Sequence, residues 1–195
     1  MVQGRVAILV GAGDAIGAAV ARRFARGGYT VCICRRDAAK SQGLVDELTA
    51  AGHRIHAFSI DARQESDVQK LFSEVESNIG PIEVCLFNAG SNVNKPLVET
   101  TEKLFSKAWE LACYAGFLVG REAARVMLPR GRGTIFFTGE TASVRGGQGL
   151  PSSHRRNSVF ARWPSPWRAS LGRRISTSSI SLSTPAWTAK PSISA

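Results

Sequence analysis

Along residues 5–138 short apolar runs alternate with helical patterns, and few folds accommodate that order. Arg5–Val10, Tyr29–Cys34, Ile55–Ile60, Ile82–Phe87 and Thr134–Thr138 read as strands. Between them lie the helical segments Ile16–Arg26, Ala38–Ala51, Glu65–Ile79 and Glu102–Leu128. Ile16, Val20 and Phe24 recur at helical spacing with arginines on the other face, and Leu44, Val45 and Leu48 line one side of the second helix. Gly52 ends that helix, and Gly80-Pro81 ends the third. This order predicts an α/β fold: a doubly wound parallel sheet with helices on both faces, truncated after the fifth strand.

Val10-Gly11-Ala12-Gly13-Asp14-Ala15-Ile16-Gly17 joins the first strand to the first helix. Glycine permits a sharp turn and lets the backbone approach a pyrophosphate, and the helix behind it offers N–H groups and a positive dipole end. A plain tight turn is the alternative. Asp61-Ala62 follows the third strand, and Leu86-Phe87-Asn88-Ala89-Gly90 ends the fourth. Together these segments resemble the short-chain dehydrogenase/reductase family over about residues 4–150. Gly11-x-x-x-Ala15-Ile16-Gly17 is similar to the family's G-x-x-x-G-x-G, with Ala15 in place of the middle glycine. The resemblance implies a Rossmann fold that binds a nicotinamide cofactor. It implies cofactor-binding roles for Gly11, Gly13, Ala15, Ile16 and Gly17, for Asp61 and Ala62 beside the adenine, and for Asn88, Ala89 and Gly90. A strand-end turn is the alternative for Asn88.

Cofactor choice is read in Cys32-Ile33-Cys34-Arg35-Arg36-Asp37. An NAD enzyme needs a carboxylate there for the ribose 2′-OH. Cys34 holds that place instead, and the guanidinium groups of Arg35 and Arg36 suit a 2′-phosphate. NADP is therefore expected ahead of NAD. The alternative makes both arginines solvated helix-start charges and Asp37 an N-cap.

The resemblance also implies hydride transfer to or from a small carbonyl or alcohol substrate, with a Tyr and a Lys four residues on moving the proton. Neither tyrosine fits, since Ile33 follows Tyr29 at that distance and Leu118 follows Tyr114. Ala112 stands where the family's helix Asn is expected. Ser143 is the candidate catalytic serine, with a plain loop hydroxyl as its alternative. His53, His56 and His154 form no base or metal cluster in the sequence. Impaired activity is expected, and a non-catalytic nucleotide-binding protein is the alternative function.

The chain divides at about residue 150. Residues 1–150, the expected cofactor domain, hold 18 Lys and Arg against 15 Asp and Glu. Residues 151–195 hold seven basic residues, no acid, twelve Ser, five Pro and three Trp, which predicts an irregular tail. The net charge of +10 therefore belongs mostly to the tail, whose arginines lack ordered spacing, and no nucleic-acid partner is expected. A shifted reading frame accounts for both the tail and the missing motif. Back-translated from Asn157 and started two bases in, the codons allow Phe-Gly-Leu-Arg-Ala-Val-Ala, an amphipathic helix and then an apolar strand. That frame supplies the lysine and not the tyrosine. Cys32, Cys34, Cys85 and Cys113 form no C-x-x-C, as expected of reduced thiols. With no signal-peptide pattern at Met1–Arg5 and no apolar run of about 18 residues, the expectation is a cytoplasmic protein without a membrane partner. A homo-oligomer through the 102–128 helix is the remaining partner expectation.

Overall fold

A computed structural model describes residues 4–90, 96–140 and 175–182. Strands β1 (Val6–Val10), β2 (Thr30–Arg35), β3 (Ile55–Ser59), β4 (Ile82–Phe87), β5 (Gly133–Glu140) and β6 (Ile175–Leu182) form one sheet. Every pairing is parallel, in the order β3-β2-β1-β4-β5-β6. The helices are α1 (Ile16–Arg26), α2 (Gln42–Ala50), α3 (Glu65–Asn78), α4 (Glu102–Trp109) and α5 (Ala115–Met127). This is the doubly wound α/β sheet that the alternation predicts.

Period-two side-chain direction sorts the core into two layers. Val6, Ile8 and Val10 of β1, with Cys32 and Cys34 of β2, pack against Val68, Leu71, Phe72 and Val75 of α3 and against Ala115, Leu118, Val119 and Ala123 of α5. The intervening Leu9, Val31, Ile33 and Leu86 pack on the other face with Ala21 and Ala25 of α1 and Leu48 of α2. All five residues of β1 are buried, so the central strands read as continuous apolar runs rather than as alternating ones. Each such side chain contributes roughly 1.5–3 kcal/mol when fully buried.

At the N-terminal edge of the sheet a charged clamp ties α3 to β4. Glu76 Oε1 accepts from the backbone N–H of Ile82 (2.8 Å). Arg130 donates to both Glu76 oxygens (2.7 and 3.0 Å) and to the Ile82 carbonyl (2.8 Å).

Two features depart from the sequence expectations. The sheet is expected to end after the fifth strand, with at best one short strand at residues 176–184 in the irregular tail. Yet β6, which overlaps that run, joins the sheet and pairs with β5 from Gly133↔Ile175 to Glu140↔Leu182. A bare β5 would leave a row of backbone donors and acceptors unpaired. The run Ile175–Leu182 is proline-free and rich in Ser, Thr and Ile, so its backbone can bond along its whole length. The rest of the tail, residues 151–174 and 183–195, lies outside the described residues. The second departure is inside the long helix. One π-helical turn, Glu110–Tyr114, separates α4 from α5. Such turns insert a residue into the helical ladder, a break that side-chain periodicity does not signal.

Candidate functional site

In the order β3-β2-β1-β4 the chain runs from β1 to β2 on one side and returns from β3 to β4 on the other, which places a crevice at the C-terminal ends of β1 and β4. An open cleft of about 630 Å³ lies there. Its walls are Val10–Gly13 at and after the end of β1, Cys34–Asp37 and Lys40 at and after the end of β2, Ile60–Ala62 after β3, Asn88–Gly90 after β4, and Leu111 of the π turn.

Contacts between distant segments set the shape of the glycine loop. The Gly11 N–H donates to the Cys34 carbonyl (2.9 Å), tying the loop to the end of β2. Asn88 donates through its backbone to the Val10 carbonyl (2.8 Å) and through Nδ2 to the Gly11 carbonyl (3.1 Å). Gly11 has a φ of +82°, and a Cβ there would lie 2.4 Å from the Ala89 nitrogen. No other residue fits that turn without strain. A Cβ on Gly17 would lie 2.5 Å from Ala12 Cα, so α1 packs directly on the loop. At Gly13 a Cβ would meet nothing within 4 Å, leaving its backbone open to the cleft. The N-terminus of α1 has Ala15 at the cap, no side-chain cap bond and no acid in the first turn. An uncapped helix start beside an open glycine backbone fits an anionic phosphate group.

Of the sequence-predicted cofactor residues, Gly11, Gly13, Arg35, Arg36, Asp61, Ala62, Asn88, Ala89 and Gly90 come together on the cleft wall. Ala15 and Ile16 start α1 behind the loop, and Gly17 serves packing. Ser143 lies outside the described residues. Asp37 Oδ1 accepts from the Ala39 N–H (3.2 Å), so the capping alternative describes that residue. Arg63 donates to both oxygens of Asp61, at 2.9 and 3.1 Å from Nε. This hydrogen bonding holds the Asp61 carboxyl below its ordinary range against the opposing effect of burial. A carboxylate has about four acceptor sites, so Asp61 retains capacity for a further donor.

Cys34 is fully buried, and burial pushes its thiol well above the ordinary range. Burial likewise raises Cys32 and Cys85 to about 12. These are neutral, inert thiols, and Cys34 supplies no charge to the cleft. Neither tyrosine lines the cleft. Tyr29 precedes β2, at the opposite edge of the sheet, edge-on to Phe24 and beneath the Arg5 guanidinium. Tyr114 stacks between Trp109 and Phe117. Ala112 is buried in the π turn, and its neighbour Leu111 reaches the cleft instead. Among the described residues no three His, Cys, Asp or Glu side chains could hold a metal, and no helix is long and apolar enough to cross a membrane.

Sequence reasoning missed Lys40, Leu111 and the partner of Arg35. Arg35 Nη1 donates to Asp14 Oδ1 (2.8 Å) across 21 positions of sequence, a separation that no local spacing rule reaches.

The short chain dehydrogenase family profile matches residues 5–153. A short chain dehydrogenase of Pseudocercospora fijiensis is 32% identical over 167 residues, which cover 84% of this chain and 48% of that protein. The chain thus spans about half the length of the curated relatives it matches. A solved short-chain dehydrogenase from Rhodopseudomonas palustris is similar with a TM-score of 0.83 and 43% identity, over 91% of this chain and 84% of that one. A variant of actinorhodin polyketide ketoreductase, solved with NADPH, shares the fold with a TM-score of 0.84 at 24% identity, over 90% of this chain and 69% of that one. With the glycine loop, the Asn88 corner and the parallel sheet all in agreement with these matches, the chain belongs to the short-chain dehydrogenase family.

Proposed function

We propose that the cleft binds NADP(H), as the cofactor site of an oxidoreductase for small carbonyl or alcohol substrates whose activity in this chain is impaired. When bound, the nicotinamide supplies or accepts the hydride. The residues present fit such a group. The glycine loop and the start of α1 receive the pyrophosphate, Asp61 and Ala62 flank the adenine, and Asn88-Ala89-Gly90 faces the nicotinamide half. One observation carries the choice of NADP(H): Arg35 and Arg36 stand on the cleft wall where Cys34 takes the place of a carboxylate. The fold alone does not decide it, since structures sharing it hold NADPH in actinorhodin ketoreductase and NADH in 7α-hydroxysteroid dehydrogenase.

A second reading, a nucleotide-binding protein without turnover, is favoured by the two tyrosines, neither of which lines the cleft. The test is fluorescence titration of NADPH and NADH, alongside turnover assays on small ketones and alcohols. Tighter NADPH binding, lost in Arg35→Ala/Arg36→Ala, supports the cofactor assignment, and equal affinities refute it. Turnover separates the two readings. Sequencing the gene through the codons for residues 145–160 tests the shifted frame. Phe105 and Trp109, 48% and 44% exposed on α4, support a homo-oligomer through this helix, and sedimentation of Trp109→Glu tests that. Buried, reduced thiols suit a cytoplasmic setting.

A further inference from the structure

Arg35, a residue that the reading above assigns to the 2′-phosphate, already has an anionic partner. Its Nη1 lies 2.8 Å from Asp14 Oδ1 and 3.4 Å from the Lys40 carbonyl, to which it also donates. The Arg35 side chain is 20% exposed, whereas that of Asp14, on the glycine loop, is 85% exposed. The carboxylate is therefore solvated and in contact with the cation that would bind the cofactor.

We propose that Asp14 is a specificity-determining residue that holds down the preference for NADP(H) over NAD(H). The inference rests on the cofactor reading above. A 2′-phosphate carries a charge of about −1.5 to −2 near neutral pH. It must displace Asp14 from Arg35 or share the guanidinium with it. Displacement gives up a charge-assisted bond, and sharing sets two anions beside one cation. A ribose 2′-OH meets the opposite balance, because a hydroxyl donates to a carboxylate. Asp14 thus opposes the phosphorylated ligand and tolerates the unphosphorylated one. Arg36, on the same cleft wall, leaves a net attraction for phosphate that Asp14 reduces without abolishing.

The experiment uses the full chain and two probes that differ only in the 2′-phosphate: 2′,5′-ADP and 5′-AMP. Each is titrated calorimetrically against wild type, Asp14→Asn, Arg35→Ala and the double variant. Asp14→Asn keeps the size of the side chain and an acceptor oxygen while removing the charge, and thermal melts check that it folds as the wild type does. The expected result is roughly two- to fivefold tighter 2′,5′-ADP binding, the scale of an exposed ion pair converted to affinity, with 5′-AMP changed less than about 1.5-fold. The gain should vanish in the Arg35→Ala background. If wild type prefers 2′,5′-ADP and Asp14→Asn leaves its affinity unchanged or lowers it, Asp14 orients Arg35 and the proposal is overturned. If wild type binds both probes equally and Arg35→Ala changes neither, the NADP(H) reading fails, and this proposal with it.

Discussion

Alanine at Gly11 and alanine at Gly13 should have opposite consequences, although the two glycines are two residues apart in one loop. At Gly11 two costs add. A side chain at a φ of +82° costs about 1–2 kcal/mol. The new Cβ would also stand 2.4 Å from the Ala89 nitrogen, and the backbone there must retreat to reach even a 3.0 Å contact. That retreat pulls on Asn88, which holds the Val10 and Gly11 carbonyls, and losing one such bond costs about 0.5–1.5 kcal/mol. Gly11→Ala should therefore destabilise by about 1.5–3.5 kcal/mol, or roughly 3–14 °C in Tm at this chain length. At Gly13 nothing lies within 4 Å and no positive φ is required, so stability should change by less than about 1 kcal/mol.

Urea unfolding followed by circular dichroism measures both variants, and NADPH titration measures the site. Gly13→Ala should keep its urea midpoint and lose at least about tenfold in NADPH affinity, because the added methyl stands where the pyrophosphate approaches. An unchanged midpoint for Gly11→Ala refutes the close approach of Ala89. Equal destabilisation by both variants refutes the assignment of the loop contacts. Full NADPH affinity in Gly13→Ala refutes the pyrophosphate position.

Two further outcomes follow from the core and the clamp. Burial keeps the thiols of Cys32 and Cys85 protonated to about pH 12 and raises that of Cys34 well above its ordinary range, whereas the unfolded chain releases those protons near about pH 8.5. Because the folded pKa values are raised, this stability is fully present below about pH 8.5. It is lost above that pH at about 1.4 kcal/mol per thiol per pH unit, and a urea midpoint that stays flat from pH 8 to 10 would refute the burial argument. Arg130→Ala removes the fork to Glu76 and the bond to the Ile82 carbonyl, at a cost of about 1.5–3 kcal/mol. Arg130→Lys should recover only part of this, since an ammonium cannot form the fork, and wild-type stability in either variant contradicts the clamp.

What was legible in the sequence was local. The central strands β1, β2 and β4 were readable because helices on both faces make them nearly continuous apolar runs, and the glycine loop because a turn beside a phosphate admits few residue types. Asp37 was legible as a cap for the same local reason. What escaped depends on pairing at a distance. The run at residues 176–184 could be read as one short strand, but its place in the sheet depends on the open edge of β5, which no local pattern reports. The π turn at Glu110–Tyr114 leaves apolar spacing almost unchanged while turning Leu111 toward the cleft. The Asp14–Arg35 pair joins the glycine loop to the end of β2, which only the parallel pairing of β1 and β2 brings side by side.

If the cleft holds the nucleotide as proposed, the same geometry makes binding and turnover separable in this chain. Every segment assigned to the nucleotide follows one of β1–β4, so its position depends on pairings completed within residues 6–90. Proton transfer in this family depends on a tyrosine and a lysine brought to the nicotinamide side. Both tyrosines are accounted for elsewhere, Tyr29 at the far edge of the sheet and Tyr114 in an aromatic stack. On the side of the cleft reached from the long helix, the described wall is Leu111, which neither donates nor accepts a proton. Selection pressure or chance acting beyond β5 can remove catalysis without disturbing a hydrogen bond in the glycine loop. Nucleotide affinity should therefore survive while turnover falls, because the proposed binding half and proton-transfer half come from different stretches of chain, and NADPH titration beside a turnover assay checks it.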